Sequence, residues 1–151
     1  MDLAIINNWN AKVSNDDTIY CLGDFALKSR VKFYADRLNG NKILILGNHD
    51  RESQCAGHFK EIHTSLELSI GGKNVLLSHY PYVDAYDLQY DHKFRDRMLV
   101  PAVKDRQWLL HGHQHNHGPK INLEKRMINL GVEHWGFSPV PEIEIERIIN
   151  A

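Results

Sequence analysis

Apolar residues recur along this chain with two different periods. Leu3, Ile6, Trp9 and Val13 fall on one face at helical spacing, which predicts a helix over 2–13. Ser14-Asn15-Asp16-Asp17 then make a polar turn. Thr18-Ile19-Tyr20-Cys21-Leu22 is β-branched and apolar and predicts a buried strand. Val31, Tyr34, Ala35 and Leu38 follow the i, i+3, i+4, i+7 template of a second helix, stopped by Asn39-Gly40. Ile43-Leu44-Ile45-Leu46 is a continuous apolar run of strand length, which suits a strand covered on both faces. Ser65–Ile70 and Lys73–Ser78 flank Gly71-Gly72, a strong hairpin signal. Residues 81–106, rich in Tyr, Asp and Arg with weak periodicity, read as a long functional loop with one short helix near 92–99. Trp108-Leu109-Leu110 and residues 127–130 predict two more strands. The end is ambiguous by pattern: 142–146 alternates like a strand, while Ile145, Ile148 and Ile149 suit a helix with Pro141 as its first residue. Helix is the reading taken.

Composition narrows the class. With 151 residues and no repeat, low-complexity stretch or evident linker, the chain reads as one domain over 1–151. Hydrophobic content of 42% and charged content of 25% exclude disordered and collagen-like classes. The 18 basic and 19 acidic side chains leave a net charge of −1, so nucleic acid is not a favoured partner. Lys93, Arg95, Arg97, Lys104 and Arg106 are interleaved with Asp91, Asp96 and Asp105 and read as a solvated face. No apolar run approaches the ~18 residues of a membrane span. No basic-then-apolar leader follows Met1, and Cys21 and Cys55 make no disulfide framework, which together point to the cytoplasm. Ten histidines stand out, because histidine is the commonest metal ligand and the usual proton shuttle.

Several of these histidines sit in a recurring pattern: an apolar run, a small residue, then a metal-capable side chain. Leu22-Gly23 leads to Asp24, Leu46-Gly47 to Asn48-His49-Asp50, Leu77-Ser78 to His79, and Leu110-His111-Gly112 to His113-Gln114-His115. In α/β sheets ligands bind beyond the carboxyl ends of strands, so four such ends can converge on one site. Oxygen and nitrogen donors without a thiolate favour Mn, Fe or Zn over Ca. Each piece has a plainer reading: Gly-Asp is usually a turn, and His111, His113, His115 and His117 make a His-rich tract. Their joint occurrence in order is what argues for a centre. His58, His63, His92 and His134 lie outside the pattern and read as surface or packing residues.

Gly23-Asp24, Gly47-Asn48-His49-Asp50, Ser78-His79 and Gly112-His113-Gln114-His115 resemble, in order, the GD, GNHD, H and GHxH signatures of calcineurin-like metallophosphoesterases. The resemblance runs from about residue 18 to 135. It implies an α/β, four-layer αββα sandwich with a dinuclear divalent-metal site. Carried over, Asp24 bridges the ions, Asn48, His79 and His113 complete one site, and His115 belongs to the other. His49 stands near the leaving-group oxygen and Asp50 orients it. The implied activity is hydrolysis of a small phosphoester by metal-activated hydroxide. Gly-Asn-His-Asp in place of the GNHE of phosphoprotein phosphatases leans towards nucleotides or other phosphodiesters. The family's opening Asp-x-His has no counterpart before Gly23-Asp24, so the sandwich is expected to be N-terminally truncated. One ion, Mn in preference to Fe or Zn, is then expected to bind tightly where the family holds two. The alternative function is a degenerate, weakly active or inactive metal-binding module with a regulatory role.

Overall fold

Two β-sheets carry the apolar runs of the chain, and helices flank them. The computed structural model describes residues 2–82 and 107–151, so the loop predicted over 81–106 and its helix near 92–99 lie, from residue 83 on, outside the described residues. In chain order the elements are α1 (Asp2–Lys12), β1 (Thr18–Cys21), α2 (Val31–Ala35), β2 (Asn41–Ile45), α3 (Glu52–Cys55), β3 (Glu61–His63), β4 (Ser65–Ile70), β5 (Lys73–Ser78), β6 (Trp108–His111), β7 (Ile121–Asn122), β8 (Met127–Asn129) and α4 (Glu142–Ile149). A 3-stranded sheet has the order β1-β2-β3 and is parallel throughout. A 5-stranded sheet has the order β4-β5-β6-β8-β7, with antiparallel pairs at both edges and parallel pairs between. This is the mixed α/β arrangement of two sheets and helices expected of the sandwich.

Alternation along β2 explains why its run of apolar residues is unbroken. Leu44 packs with Cys21, Val31 and Cys55 on one face. Ile45 faces the other way, into a cluster with Ile70, Val75, Leu77, Trp108, Leu110 and Ile128 of the second sheet. The central strand β6 repeats the device: Trp108 and Leu110 join the inter-sheet cluster, and Leu109 packs with Met127 and Tyr82 on the opposite face. Each such aliphatic side chain, fully buried, contributes about 1.5–3 kcal/mol. Ile145 and Ile149 of α4 close the inter-sheet cluster. They are four residues apart, hence on one helical face, while Ile143 is 53% exposed. A strand would have put Ile143 and Ile145 on the same face, so burial decides the ambiguous C-terminal pattern for helix.

The β4–β5 hairpin turns at Gly71 and Gly72, whose φ values of 55° and 76° are the pair of left-handed conformations a type I′ turn demands. Other expectations need correction. Helix α1 buries no residue completely, and Leu3 is 75% exposed. Trp9 packs against the Leu44 cluster, and polar bonds add to it: Trp9 Nε1 donates to Asn39 O (2.9 Å), Asn10 Nδ2 to Arg37 O (2.7 Å) and Asn8 Nδ2 to Phe137 O (3.1 Å). Helix α2 starts at Val31 as its pattern does, after a 3₁₀ turn over Lys28–Arg30, but ends at Ala35, so Leu38 is buried beyond its end. Pro141 is the N-cap of α4, with ψ 147°, and not its first helical residue. Elements β3, β7 and α3 have no apolar run of their own and were not predicted.

Candidate metal centre

The segments leaving β1, β2, β5 and β6 meet, and the side chains they carry form one cluster. Asp24, His79 and His113 each offer a ligand atom, and these atoms lie within 4.8 Å of one another. His79 is central and only 2% exposed. Its Nε2 stands 3.1 Å from His113 Nδ1, 3.2 Å from Asn48 Oδ1 and 3.3 Å from Asp24 Oδ2. The other ring nitrogen, Nδ1, lies 2.7 Å from Leu22 O. A carbonyl only accepts, so Nδ1 carries a proton and donates it, which turns Nε2 towards the cluster. Two oxygens and two imidazole nitrogens therefore converge within hydrogen-bond reach of His79 Nε2, a set of atoms that a divalent cation could share. The donor set fits a borderline divalent ion such as Mn, Fe or Zn.

Backbone geometry brings these side chains in. At Gly23, φ is +89° and a Cβ would lie 2.4 Å from His79 Nδ1, so the chain passes too close to the imidazole for any other residue. A Cβ on Gly47 would lie 2.3 Å from Asp24 Oδ1 and 2.6 Å from Asp24 N. Asp24, His113 and His115 themselves have φ values of 51°, 63° and 49°. Left-handed backbone costs a residue with a Cβ on the order of 1–3 kcal/mol and is concentrated at functional sites. Arg126 and Phe137 are the other two non-glycine positions of this kind among the described residues.

The two aspartates differ in electrostatics. Burial works to raise the pKa of Asp24, but hydrogen bonds and charge from His79 and the His49 N–H outweigh it and hold the carboxyl below its usual range. Asp50 goes the other way: burial raises its pKa against the backbone N–H groups that bond it. Those bonds give Asp50 a task that the sequence does not reveal. Its carboxylate accepts from Asp24 N (2.7 Å), Gly47 N (2.9 Å) and Phe25 N (3.0 Å), clamping the β1 and β2 loops together. His49 is exposed at the rim, and its backbone N–H donates to Asp24 Oδ1 at 2.8 Å.

Of the residues read from the sequence as metal ligands, Asp24, Asn48, His79 and His113 come together. His115 stands in the same loop as His113 but is exposed, with Nδ1 2.9 Å from Glu133 Oε1. The four histidines of the 111–117 tract thus have separate environments. His111 is buried, with its pKa pushed down to about 4 mainly by burial, and His117 is exposed. His63 pairs with Glu61 at 2.7 Å, away from the cluster. Sequence reasoning missed Glu133 and Asn129. The signal for Asn129 was a polar residue inside the apolar stretch Met127-Ile128-Asn129-Leu130, and it is fully buried.

Residues 2–140 match the Calcineurin-like phosphoesterase superfamily domain. The chain belongs to this superfamily. It is 31% identical to the gene 66 protein of Mycobacterium phage L5, over 99% of this chain and 81% of that protein. A solved protein of unknown function from Aquifex aeolicus superposes with a TM-score of 0.72 at 28% identity, over 97% of this chain and 84% of the other. A structure described as a novel archaeal phosphodiesterase superposes with a TM-score of 0.51 at 19% identity, over 85% and 76% of the two chains, a likeness of fold. For a calcineurin-like phosphoesterase, a divalent ion is the implied cofactor, and the cluster around His79 is the candidate site for it. No helix among the described residues is long and apolar enough to cross a membrane.

Proposed function

We propose that this calcineurin-like protein is a phosphodiesterase that acts on a nucleotide or another small phosphodiester, with manganese at the cluster. The observation that supports this most is the convergence of Asp24, Asn48, His79 and His113 beside the exposed His49. These four residues would hold the ion, which when bound supplies Lewis-acid polarisation of the phosphoryl group and activation of water. The chain's own residues do the rest. Leu22 O fixes the His79 tautomer, and Asp50 holds the two loops in register through its backbone bonds. His49 is tethered to Asp24 through its backbone and exposes its imidazole at the rim, where it would donate a proton to the departing alkoxide.

A second reading is an ion-binding module with weak turnover. It is favoured by the donor count: Asp24, His79 and His113 make the one group of three metal-capable side chains among the described residues, which is a site for one ion. Turnover of bis(p-nitrophenyl) phosphate with Mn²⁺ separates the two. The proposal expects metal-dependent diester hydrolysis that is lost in Asn48→Ala and lowered about 10²–10⁴-fold in His49→Ala. Tight Mn²⁺ binding with no turnover selects the module. Diester turnover unchanged in Asn48→Ala overturns the site.

A further inference from the structure

His115 is 68% exposed at its side chain, yet the structure commits buried groups to fixing it. Asn129, with no exposed surface, donates from Nδ2 to His115 O at 2.8 Å. Its Oδ1 accepts from Gly131 N at 2.9 Å, and its backbone carbonyl accepts from Trp135 Nε1 at 2.8 Å. Its own N–H donates to Lys120 O at 2.9 Å. One buried amide thereby ties the 113–120 loop to the turn over 131–135. A polar side chain in that position is destabilising unless every bond is made, so the arrangement has few alternatives. Gly131 adds a second constraint: a Cβ there would come 3.1 Å from His115 O and 3.0 Å from Asn129 Oδ1. The close approach of this turn to the His115 carbonyl brings Glu133 Oε1 to 2.9 Å from His115 Nδ1. A surface His–Glu pair by itself is worth about 0–1 kcal/mol and needs no such support.

We propose that Asn129, Gly131 and Glu133 form a brace that positions His115 as a metal ligand, with Glu133 holding its imidazole as the Nδ1–H tautomer so that Nε2 is presented to a divalent cation. This rests on the metal-centre reading above. A carboxylate only accepts, so the bonded nitrogen is the protonated one and the lone pair lies on the far nitrogen. Ligating histidines generally donate their other N–H to a carboxylate or carbonyl, and loss of that partner weakens metal binding about 10–100-fold. His79 has the same arrangement with Leu22 O in the Glu133 role. Asn129, Gly131 and Glu133 are positioning residues, acting through His115.

The test uses the full chain, ¹⁵N-labelled at histidine, with Mn²⁺ as the metal probe. Long-range ¹H–¹⁵N spectra without metal, at a pH where imidazole is neutral, are expected to show His115 as the Nδ1–H tautomer. Glu133→Ala loses that tautomer, whereas Glu133→Gln keeps it because its amide oxygen still accepts. In Mn²⁺ titrations Glu133→Ala weakens one class of site about 10–100-fold, His115→Ala removes the same class, and the double variant is no worse than His115→Ala. Glu133→Gln binds within a few-fold of the parent. Gly131→Ala, whose Cβ would lie 3.0 Å from Asn129 Oδ1, 3.1 Å from His115 O and 3.4 Å from Glu133 Oε2, weakens the same class by pushing the brace apart. If the parent chain binds Mn²⁺ through Asn48 but Glu133→Ala alters neither tautomer nor affinity, the brace is wrong and the metal centre stands. If His115→Ala binds Mn²⁺ as the parent does, His115 is no ligand and the proposal falls. If the parent binds no Mn²⁺ and Asn48→Ala changes nothing, the metal-centre reading fails and takes the proposal with it.

Discussion

Gly47→Ala adds one methyl group where the structure has no room for it. The new Cβ would sit 2.3 Å from Asp24 Oδ1, 2.9 Å from Asp24 Cγ and 2.6 Å from Asp24 N. Contact distances between heavy atoms are near 3.5–4.0 Å, so the overlap exceeds about 1 Å. Rotation of the Asp24 side chain relieves part of it, but the backbone nitrogen cannot rotate away. The loops after β1 and β2 must therefore part, and both are held by the same oxygen: Asp50 Oδ2 accepts from Asp24 N at 2.7 Å and from Gly47 N at 2.9 Å. Overpacking costs about 1–3 kcal/mol. Losing one hydrogen bond to a charged group costs a further ~1.5–3 kcal/mol. We expect Gly47→Ala to destabilise the fold by about 3–5 kcal/mol, a large fraction of the 5–15 kcal/mol typical of a domain. With an m-value of about 2 kcal/mol/M, the urea midpoint falls by roughly 2 M. Mn²⁺ binding to the folded protein should weaken by at least about 10–100-fold, because the displaced carboxylate belongs to the cluster.

Two comparisons isolate the cause. Gly57→Ala meets nothing within 4 Å but has φ +81°, so it reports left-handed strain alone, about 1–2 kcal/mol, with no change in metal binding. In an Asp24→Ala background two of the three overlaps vanish, and the stability cost of Gly47→Ala should fall to about half, measured as a double-mutant cycle. A Gly47→Ala protein that unfolds within about 0.5 kcal/mol of the parent and binds Mn²⁺ equally well refutes the reasoning.

Metal analysis after dialysis should find at least one ion per chain in the parent, little in Asn48→Ala or His113→Ala, and a near-normal content in His49→Ala; equal loss in His49→Ala and His113→Ala would show the roles misassigned. Burial holds His111 neutral until about pH 4, whereas the unfolded side chain takes up its proton near 6.5. Stability from this group is therefore complete above pH 6.5 and falls by up to about 3 kcal/mol as pH drops to 4, and urea midpoints of His111→Leu should show a shallower decline over that window than the parent. The Cys21 thiol is buried with its pKa pushed up to about 12, so it should resist a thiol reagent at pH 8 until urea unfolds the chain; rapid labelling of the native protein contradicts this.

How much of this was legible in the sequence depends on what sets each feature. The strands β2 and β6 were readable because burial on both faces demands an unbroken apolar run, as in Ile43, Leu44 and Ile45. The Gly71-Gly72 hairpin was readable because the turn type itself demands those residues. Helix α1 was readable from its spacing, but its fastening was not: Leu3 is 75% exposed, and Asn8, Asn10 and Trp9 bond backbone carbonyls, which no periodicity records. The convergence of Asp24, Asn48, His79 and His113 was foreshadowed by order and by strand-end position. The clamp by Asp50 and the pairing of His115 with Glu133 were not, because they depend on loops 18 or more residues apart in sequence.

The distribution of strain shows why the site is legible at all. Asp24, His113 and His115 each follow a strand end within a few residues, and each has left-handed backbone. A strand delivers alternate side chains to opposite faces of its sheet, so a chain that simply continued would aim half of these donors away from the cluster. A left-handed residue, preceded by glycine at Asp24 and His113 and by Gln114 at His115, breaks the alternation and redirects the side chain, at on the order of 1–3 kcal/mol each. Two of the three, Asp24 and His113, stand in the cluster with His79. Gly23 and Gly47 carry the same message from the other side, since the atoms that exclude a methyl group there belong to His79, Asp24 and the Gly47 backbone, with no apolar core side chain among them. Small residues and unfavourable φ values thus coincide where chemistry outweighs stability, and that coincidence is what the repeated pattern of apolar run, small residue and metal-capable side chain records.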